Sequence, residues 1–523
     1  MAVKETDGKH IRYNCWQLHT PDEDYIRGVI KHARDYDINI IVLSHEIIKY
    51  VSQLYEEKER VELIDRVCEA AHKRGLQVYI WPHELEHDVP PEYFNQNVIE
   101  VDRPGFWDWL GEKYEKLCVD FPQFDGFVFT FHETPYKVFD RDEVQSEFPA
   151  SSLFARMINT INAPCLRHDK EVVVRSFFYE PEEIEWFREG MEHVEDNVLL
   201  QCKCVPHDWD PFYPHNPMIG ALPSRQKIIE FDCSSEYTGR NRIPYAAPDY
   251  FHYRWKYSSG QPGIVGYNAR LDHRGFDALF TPNEINIYSL FRLSQEPDIT
   301  PDRLWREWTT ERYGEDAAPF IERALRPTFR IVNKMLWPLG CRFNDHSRIP
   351  FIEYAETHLA KISVTKWDSD NEQLKETREK VLNPDPLVLE DIIREKEEAS
   401  ALADICLGHL ERAADFLSVR DFKDLCRRMT LLRRMVEVWR LHAEAFFGYE
   451  ILKRTGLEGR ENLIARTRRA ISSLYRQAEV SRASGEKEPY SEERISGVAD
   501  ELKKQLCLAS RQSTDCSNRS LAT

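Results

Sequence analysis

Two carboxylates spaced for acid–base chemistry lie between positions 197 and 239. One apolar run ends at Lys203 and is followed by Asp208, and a second, beginning at Ile228, is followed by Glu236. A buried parallel strand that stops at such residues presents them at the carboxyl rim of a sheet, where α/β-barrel enzymes hold their reactive groups. If the two strands are neighbours, Asp208 and Glu236 face one site. Two carboxylates are the minimum needed to split a glycosidic bond.

A third carboxylate, Glu133, follows the aromatic run at 127–131. Aromatic surroundings desolvate a carboxyl and favour its protonated form, which suits a general acid. We therefore predict that Glu133 is the acid and that Asp208 and Glu236 activate a water molecule. Each residue also has a purely structural interpretation: Glu133 as a cap of the next turn, Asp208 in an Asx turn and Glu236 in a loop ion pair.

Cations and other polar residues end the remaining apolar runs. Arg175 and Lys203 fall on adjacent predicted strands, and burying either without an anion is costly. They either neutralise Asp208 and Glu236 or bind a carboxylate on the substrate, which arginine can grip through two hydrogen bonds. The other predicted substrate-binding residues at this rim are His45, Glu46, His83, His132, Asn268, Arg270 and Asp272.

One segment, from His83 to His87, fits the zinc-binding pattern HExxH. That pattern needs a helix to bring both histidines to one face. Here it directly follows a predicted strand and runs into Pro90-Pro91, which leaves little room for a helix. We therefore expect no metal site and no cofactor. The sequence also contains no GxSxG, Walker or Cys/His nucleophile motif.

Eight strand candidates precede position 270, most of them followed by an amphipathic helical pattern. They are residues 11–18, 38–43, 76–82, 124–131, 172–178, 198–203, 228–231 and 264–268. Several lack clean alternation, as expected for parallel strands covered on both faces. The repeat predicts a (β/α)8 TIM barrel. The alternative, an open doubly wound sheet, usually carries a glycine-rich phosphate loop, and none is present.

The sequence pattern changes near position 300. After this point it predicts helices, and charged residues are frequent. Residues 320–335, 386–417 and 425–455 have helical spacing of apolar residues. We predict a catalytic barrel over 1–300, an all-α domain over 301–506 and a disordered tail over 507–523. The exposed faces of the predicted helical domain are compatible with a homodimer, which the sequence does not establish.

Composition narrows the class of protein further. With 89 acidic against 70 basic residues, the net charge is −19, which argues against nucleic acid and anionic membranes as partners. No apolar run approaches the length of a membrane span, and the first ten residues lack a signal-peptide core. The 12 cysteines include no CxxC pair. We expect a reduced, cytoplasmic protein.

Three motifs between 172 and 239 resemble the α-glucuronidases of glycoside hydrolase family 67. They are Val174-Arg175-Ser176-Phe177-Phe178-Tyr179, the run from Asn197 to Lys203 with Pro206-His207-Asp208-Trp209-Asp210-Pro211, and Glu230-Phe231 through Glu236-Tyr237-Thr238-Gly239. Their order and spacing also match. Weaker similarity extends back to Asp125-Gly126-Phe127 and forward to Trp305-Arg306-Glu307-Trp308.

The resemblance implies a (β/α)8 catalytic barrel, a helical C-terminal domain and an inverting, metal-independent hydrolase that removes terminal 4-O-methyl-glucuronic acid from xylo-oligosaccharides. It implies that Glu133 falls near the general acid, Asp208 and Glu236 on the water-activating pair, and Arg175 and Lys203 on cations lining the uronate site. Two departures stand out: the family's lysine on the fourth strand is replaced by Phe129-Thr130-Phe131, and residues 268–280 are rich in Arg, Asp and His. We also expect this protein to lack the family's N-terminal β-rich domain.

We therefore predict an exo-acting, inverting glycoside hydrolase that acts on a uronic-acid-containing or related oligosaccharide. One alternative keeps the barrel and the hydrolysis but takes a neutral or sulfated sugar. Another, from a different class, is a carbohydrate-binding protein without catalysis, in which Glu133 points away from Asp208 and Glu236.

Overall fold

Eight short, buried strands form the centre of the N-terminal half. The structure, a computed structural model, describes residues 11–361, 364–368 and 371–520. The strands are β1 Tyr13–Leu18, β2 Ile40–Leu43, β3 Gln77–Ile80, β4 Gly126–Phe129, β5 Glu171–Ser176, β6 Leu199–Lys203, β7 Lys227–Asp232 and β8 Ile264–Arg270. Each overlaps one of the eight predicted segments.

The strands close into a barrel in which every neighbouring pair runs parallel. β8 closes against β1, with Gly266 opposite Tyr13 and Arg270 opposite Gln17. A Cβ atom on Gly266 would lie 2.1 Å from the carbonyl oxygen of Tyr13, so this close approach requires glycine. The predicted (β/α)8 fold class is confirmed, and the open doubly wound sheet is excluded.

Helices cover the outside of the barrel and turn one apolar face towards the strands. In the first of them Ile26, Val29 and Ile30 are buried, at the spacing expected of an amphipathic helix. The helices of this layer are Glu23–His32, Gln53–Glu56, Lys58–His72, Phe106–Asp120, Ala150–Arg167, Glu183–Glu192, Pro248–Gly260 and Glu284–Gln295. Between β6 and β7, where every residue is described, a 3-10 turn at Pro217–Ile219 takes the place of an α-helix. The loop that carries Asp208 is therefore long.

Short strands form in the loops after β3, β4 and β8. Phe94–Asn95, Val98–Glu100 and Val144–Gln145 form a small three-stranded sheet. Asp272–His273 and Phe276–Asp277 form a hairpin directly after β8. The hairpin lies next to the loop that follows β7, because Asn241 Nδ2 donates a hydrogen bond to the carbonyl of Phe276.

The C-terminal half is helical. Its α-helices are Pro301–Tyr313, Ala318–Leu325, Thr328–Leu336, Ile352–Lys361, Val364–Trp367, Glu372–Leu382, Pro386–Ala413, Val419–Thr455, Glu461–Ala483 and Glu492–Ser520. Residues 320–335, predicted as one helix, are divided at Pro327 because proline lacks the N–H that continues a helix. Within the described ranges, no helix is both long and apolar enough to cross a membrane.

The last helix, Glu492–Ser520, runs through most of the segment 507–523, which composition predicts to be disordered. Its first half is anchored by buried Ile495, Val498 and Leu502. Once a helix is nucleated, each added residue costs little, which explains why the polar continuation stays helical. Residues 521–523 lie outside the described residues.

Candidate active site

The carboxyl ends of β5 to β8 turn polar side chains into the barrel. Successive side chains of a strand point to opposite faces. Val173 of β5 belongs to the apolar cluster inside the barrel, so Arg175, two residues later, faces inward as well. The same alternation brings inward Gln201 and Lys203 of β6, Glu230 of β7, and Asn268 and Arg270 of β8, all of which are buried.

Arg175 lies at the centre of this polar layer, between two carboxylates. Its Nε donates to Glu230 Oε2 over 2.5 Å, its Nη2 donates to Glu230 Oε1 over 3.1 Å, and its Nη1 donates to Glu133. Burial acts to raise the pKa of Glu230, but the charge of Arg175 holds that pKa below its ordinary value. Glu230 is thus a buried structural partner. Glu133 is the accessible one, with 27% of its side chain exposed.

Asp208 lies at the rim, surrounded by positive charge. Arg342 Nη2 donates to its Oδ2 over 3.3 Å, Lys203 Nζ is 3.8 Å from Oδ1, and His207 Nε2 is 3.6 Å from Oδ2. Burial acts to raise the pKa of Asp208, but His207, Arg342 and Lys203 hold it well below its usual range. Asp208 is therefore ionised at neutral pH.

Glu236 is a second ionised carboxylate at the same rim. Arg270 Nη2 donates to its Oε2 over 2.9 Å, and nitrogens of His273 and His346 lie 3.7 and 3.6 Å from its oxygens. Burial acts to raise its pKa, but these groups, led by Arg270, lower it to about 2. Arg270 therefore forms an ion pair with a candidate catalytic carboxylate and is not reserved for the substrate.

Lys203 is fully buried, and its ammonium nitrogen has no hydrogen-bond partner among the described residues. Phe177 and Trp209 flank it, each with its ring centroid 4.4 Å from Nζ. Burial, followed by the nearby charge of Arg175, lowers the pKa of Lys203 to about 8. An ammonium in this position leaves its donors unused until an acceptor enters the site.

The helical C-terminal half contributes two residues that we did not predict. Arg342 and His346 lie in the loop between Thr328–Leu336 and Ile352–Lys361 and reach Asp208 and Glu236. Ser347 Oγ fixes this loop by donating to the carbonyl of Glu236 over 2.6 Å. The concentration of charged residues at 342–348 was a signal in the sequence. The barrel loop that they contact depends on how the helical C-terminal half packs on the barrel, and the spacing of apolar residues does not predict this packing.

Two predicted residues, His45 and His83, border the site on the β2 and β3 side. The rings of His45 and His83 stack with centroids 4.5 Å apart, and His19 Nε2 lies 3.4 Å from Arg270 Nη2. Asn268 lies deeper, where its Nδ2 donates to Gln17 over 2.8 Å and to Gln201 over 3.1 Å. Asn268 therefore connects β8 to β1 and β6 below the rim.

His132 does not lie with the other site residues. It is buried among the outer helices and stacks on Trp186, with ring centroids 5.4 Å apart and an interplanar angle of 11°. β4 ends at Phe129 rather than at position 131. Strand alternation therefore no longer fixes the direction of His132.

Asp272 and Glu46 also lie apart from the carboxylate group. Asp272 is buried and accepts hydrogen bonds from the backbone N–H of His19, over 3.0 Å, and from the hydroxyl of Thr20. It therefore joins the loops after β1 and β8. Glu46 is exposed in the turn after β2, where the chain has already left the barrel.

The segment 83–87 is a loop with Leu85 in the left-handed region, φ 54°. Its Glu84 pairs with Lys113, Nζ to Oε1 over 2.8 Å, and His83 Nδ1 pairs with Glu86 Oε2, also over 2.8 Å. The two histidines therefore do not share a helix face as HExxH requires. Within the described parts of the chain, no group of three or more His, Cys, Asp or Glu side chains is arranged to hold a metal ion.

The fold and its rim define a (β/α)8 barrel with carboxylates and cations at the carboxyl ends of its strands, an arrangement that glycoside hydrolases use. Residues 8–256 match the family described as the glycosyl hydrolase family 67 middle domain. The chain is thus a divergent relative of glycosyl hydrolase family 67, as the sequence motifs predict.

Individual relatives agree with this assignment at low identity. Over 304 residues the chain is 21% identical to alpha-glucuronidase A of Emericella nidulans, covering 50% of this chain and 33% of that protein. It is 19% identical over 304 residues to the probable alpha-glucuronidase A of Aspergillus niger, covering 49% of this chain and 33% of that protein. The matched region therefore spans about a third of the length of these relatives.

Two solved structures share the architecture over nearly the whole chain. A glycoside hydrolase family 138 enzyme targeting the pectin rhamnogalacturonan II superimposes with a TM-score of 0.64 at 11% identity, covering 98% of this chain and 85% of that one. A family 115 4-O-methyl-alpha-glucuronidase with specificity for decorated arabinogalactans gives 0.51 at 10% identity, covering 93% and 60%. At these identities the likeness concerns the fold.

Proposed function

We propose that this protein is an exo-acting glycoside hydrolase that removes a terminal glucuronic acid or related uronic acid from an oligosaccharide. The match to family 67 and the three carboxylates at the rim, Glu133, Asp208 and Glu236, support hydrolysis of a glycosidic bond. The observation that carries the choice of a uronic acid is the buried ammonium of Lys203, which makes no hydrogen bond among the described residues. A carboxylate on the bound sugar is the acceptor that its charge favours.

The charges of the site favour the same ligand. Four cations, Arg175, Lys203, Arg270 and Arg342, face four carboxylates, Glu133, Asp208, Glu230 and Glu236. When Glu133 is protonated to act as the acid, these eight groups together carry a net charge of +1. Arg342 also keeps Nε and Nη1 without a partner among the described residues. The hydroxyls of a neutral sugar can accept hydrogen bonds from these donors but do not balance the positive charge.

In the proposed mechanism, Glu133 gives its proton to the leaving oxygen while Asp208 and Glu236, both ionised, orient and deprotonate a water on the opposite face of the sugar. Arg342 and Arg270 hold these two carboxylates in place. Direct attack by water inverts the anomeric centre, which requires the acid and base to be about 6.5–9.5 Å apart. Neither a metal nor a cofactor is needed for these steps.

Replacing Lys203 by methionine tests the uronate site. We expect KM for uronate-capped oligosaccharides to rise about 10- to 100-fold, the range of a lost charge-assisted hydrogen bond. The change removes a buried ammonium that makes no hydrogen bond among the described residues, but also a charge 3.8 Å from Asp208, so we expect the free energy of unfolding to change little. Steady-state kinetics and chemical denaturation measure the two effects.

The matched control is Lys227→Met, at the opposite end of the barrel. Lys227 Nζ donates to the carbonyls of Ile219 and Pro262, each over 3.1 Å. Its loss should lower stability and leave KM unchanged. If Lys203→Met left KM for the uronate unchanged, a neutral sugar would be favoured over a uronic acid as the substrate. If the wild type bound sugars and released none from uronate-capped or neutral oligosaccharides, the carbohydrate-binding alternative would replace the hydrolase.

Uronate binding should also weaken in alkaline solution. The pKa of Lys203 is lowered to about 8, so its ammonium is mostly present at pH 7 and mostly lost by pH 9. KM for a uronate substrate should therefore rise above pH 8, by up to about tenfold per pH unit. A KM profile from pH 6.5 to 9.5 measures this. The rise should be absent in Lys203→Met; an identical rise in both proteins would place the titrating group elsewhere.

A further inference from the structure

His346 reaches the proposed catalytic centre from the helical C-terminal half. Its Nε2 lies 3.6 Å from Glu236 Oε1, and its ring stacks on Tyr237, with centroids 4.9 Å apart and an interplanar angle of 17°. Its backbone has φ 53°, in the left-handed region that is uncommon for residues other than glycine. Such backbone conformations are concentrated at functional sites, so the role of His346 calls for an explanation.

Asp345 fixes the orientation of the His346 ring. Its Oδ1 lies 2.9 Å from His346 Nδ1. Arg348 and Arg494 hold this carboxylate in place by donating to it over 2.8 and 2.7 Å. An imidazole that donates from Nδ1 carries its lone pair on Nε2, which is the nitrogen 3.6 Å from Glu236. A carboxylate that orients a histidine in this way prepares it to accept a proton.

The two water-activating carboxylates are themselves weak proton acceptors. Against the effect of burial, their cationic neighbours lower the pKa of Glu236 to about 2 and hold that of Asp208 well below its usual range. A base is most effective when its pKa lies near the working pH. The proton taken from the water therefore needs a stronger acceptor nearby, and histidine is the side chain that takes up protons near neutral pH.

Two other histidines lie beside these carboxylates, but both are largely closed off from solvent. His273 Nδ1 is 3.7 Å from Glu236, and burial lowers the pKa of His273 to about 3. His207 Nε2 is 3.6 Å from Asp208, and burial lowers the pKa of His207 as well. Their side chains are 8% and 4% exposed, against 32% for His346. Of the three, His346 is the one placed to pass a proton on to bulk water.

We propose that Asp345 and His346 form a relay that carries the proton of the attacking water from Glu236 to solvent. This inference rests on the proposed function and adds a step on the base side of the same site. It also gives the helical C-terminal half a part in the reaction, because His346 lies on the loop that this half places against the barrel.

The proposed step conserves protons and charge. As the water attacks the anomeric carbon, one of its O–H bonds breaks and the proton passes to Glu236. Glu236 passes it to His346 Nε2, either through a bridging water or after the 3.6 Å contact shortens on substrate binding. The imidazolium releases the proton to bulk water, which returns both groups to their starting charge. The leaving oxygen receives its proton from Glu133, which solvent then reprotonates.

His346→Gly in the full-length protein tests the relay, because glycine adopts a positive φ without strain and leaves room for an added base. On a uronate-capped oligosaccharide we expect kcat to fall about 10- to 100-fold. KM should change little, since Lys203 and the arginines of the site remain. Added imidazoles should restore kcat, and the restoration should increase with the pKa of the imidazole, as proton transfer requires. Steady-state kinetics with a series of substituted imidazoles measure both effects.

His346→Asn keeps the test decisive if His346→Gly does not fold, because asparagine tolerates the left-handed region; it should lose the same rate and respond to the same imidazoles. His193→Asn, an exposed position at the end of the outer helix Glu183–Glu192, is the control. Neither it nor the wild type should respond to imidazole.

Three results would overturn the relay and leave the proposed function standing. They are an unchanged kcat in either variant, a loss that imidazoles do not restore, and a restoration that is independent of their pKa. The last two would show that His346 has a structural role only. If the wild type released no uronic acid from any uronate-capped oligosaccharide, the proposed function itself would fail.

Discussion

Replacing Glu133 by glutamine is expected to lower kcat on uronate-capped oligosaccharides by about 10²- to 10⁴-fold, the usual contribution of a general acid. The glutamine side chain keeps an oxygen that can accept from Arg175 but has no proton to give to the leaving oxygen. Substrate binding should change little, since the cations of the site remain. Steady-state kinetics with the purified variant measure the loss.

A substrate with a good leaving group separates the acid from other roles. An aryl uronide whose phenol leaves without protonation should lose far less rate in Glu133→Gln than an oligosaccharide does. Glu182→Gln, an exposed carboxylate beside the helix Glu183–Glu192, should match the wild type on both substrates. Equal losses on the aryl and oligosaccharide substrates would show that Glu133 is not the acid.

Replacing Arg175 by methionine is expected to lower the free energy of unfolding by about 3–5 kcal/mol, the cost of leaving one member of a buried ion pair unpaired. Glu230 is fully buried and is bound by two nitrogens of Arg175. Without that guanidinium, its negative charge would remain in the barrel with Gln201 as its one side-chain donor among the described residues. Denaturant titration of the wild type and the variant measures the difference.

The double variant Arg175→Met/Glu230→Gln distinguishes an unpaired charge from a packing defect. Removing both charges should restore much of the stability lost in the single variant. Arg188→Met breaks an exposed pair with Glu185 and should leave stability nearly unchanged. If the double variant were as unstable as Arg175→Met, the loss would come from packing and not from the charge of Glu230.

The barrel was predictable because its strands are short apolar runs that end in polar residues. Arg175 and Lys203 lie near the ends of two such runs, where strand alternation turns them into the barrel. Asp208 and Glu236 follow two such runs and therefore lie in loops at the carboxyl rim. Lys203 and Asp208 pair because one ends β6 and the other lies in the loop that follows it. Glu236 and Arg270 pair because β7 and β8 are neighbours in the closed sheet.

Other features depend on information that periodicity lacks. His132 is three residues beyond the end of β4, where alternation no longer holds, and it packs against the outer helices. Arg342 and His346 reach the rim from a loop more than a hundred residues along the chain from Glu236, and the packing of the helical C-terminal half on the barrel brings them there. The helix through 507–520 is fixed by its buried first half, not by its own composition.

The most direct test of the proposed function is a proton NMR time course of a glucuronic-acid-capped xylo-oligosaccharide with α linkage, comparing the wild type with Asp208→Asn. The proposed function predicts that the wild type releases glucuronic acid whose first observed anomer is β, and that Asp208→Asn releases almost none. Release of the α anomer first would contradict inversion by water held at Asp208 and Glu236. No release of glucuronic acid by the wild type from this substrate or from other uronate-capped oligosaccharides would contradict the proposed hydrolase itself.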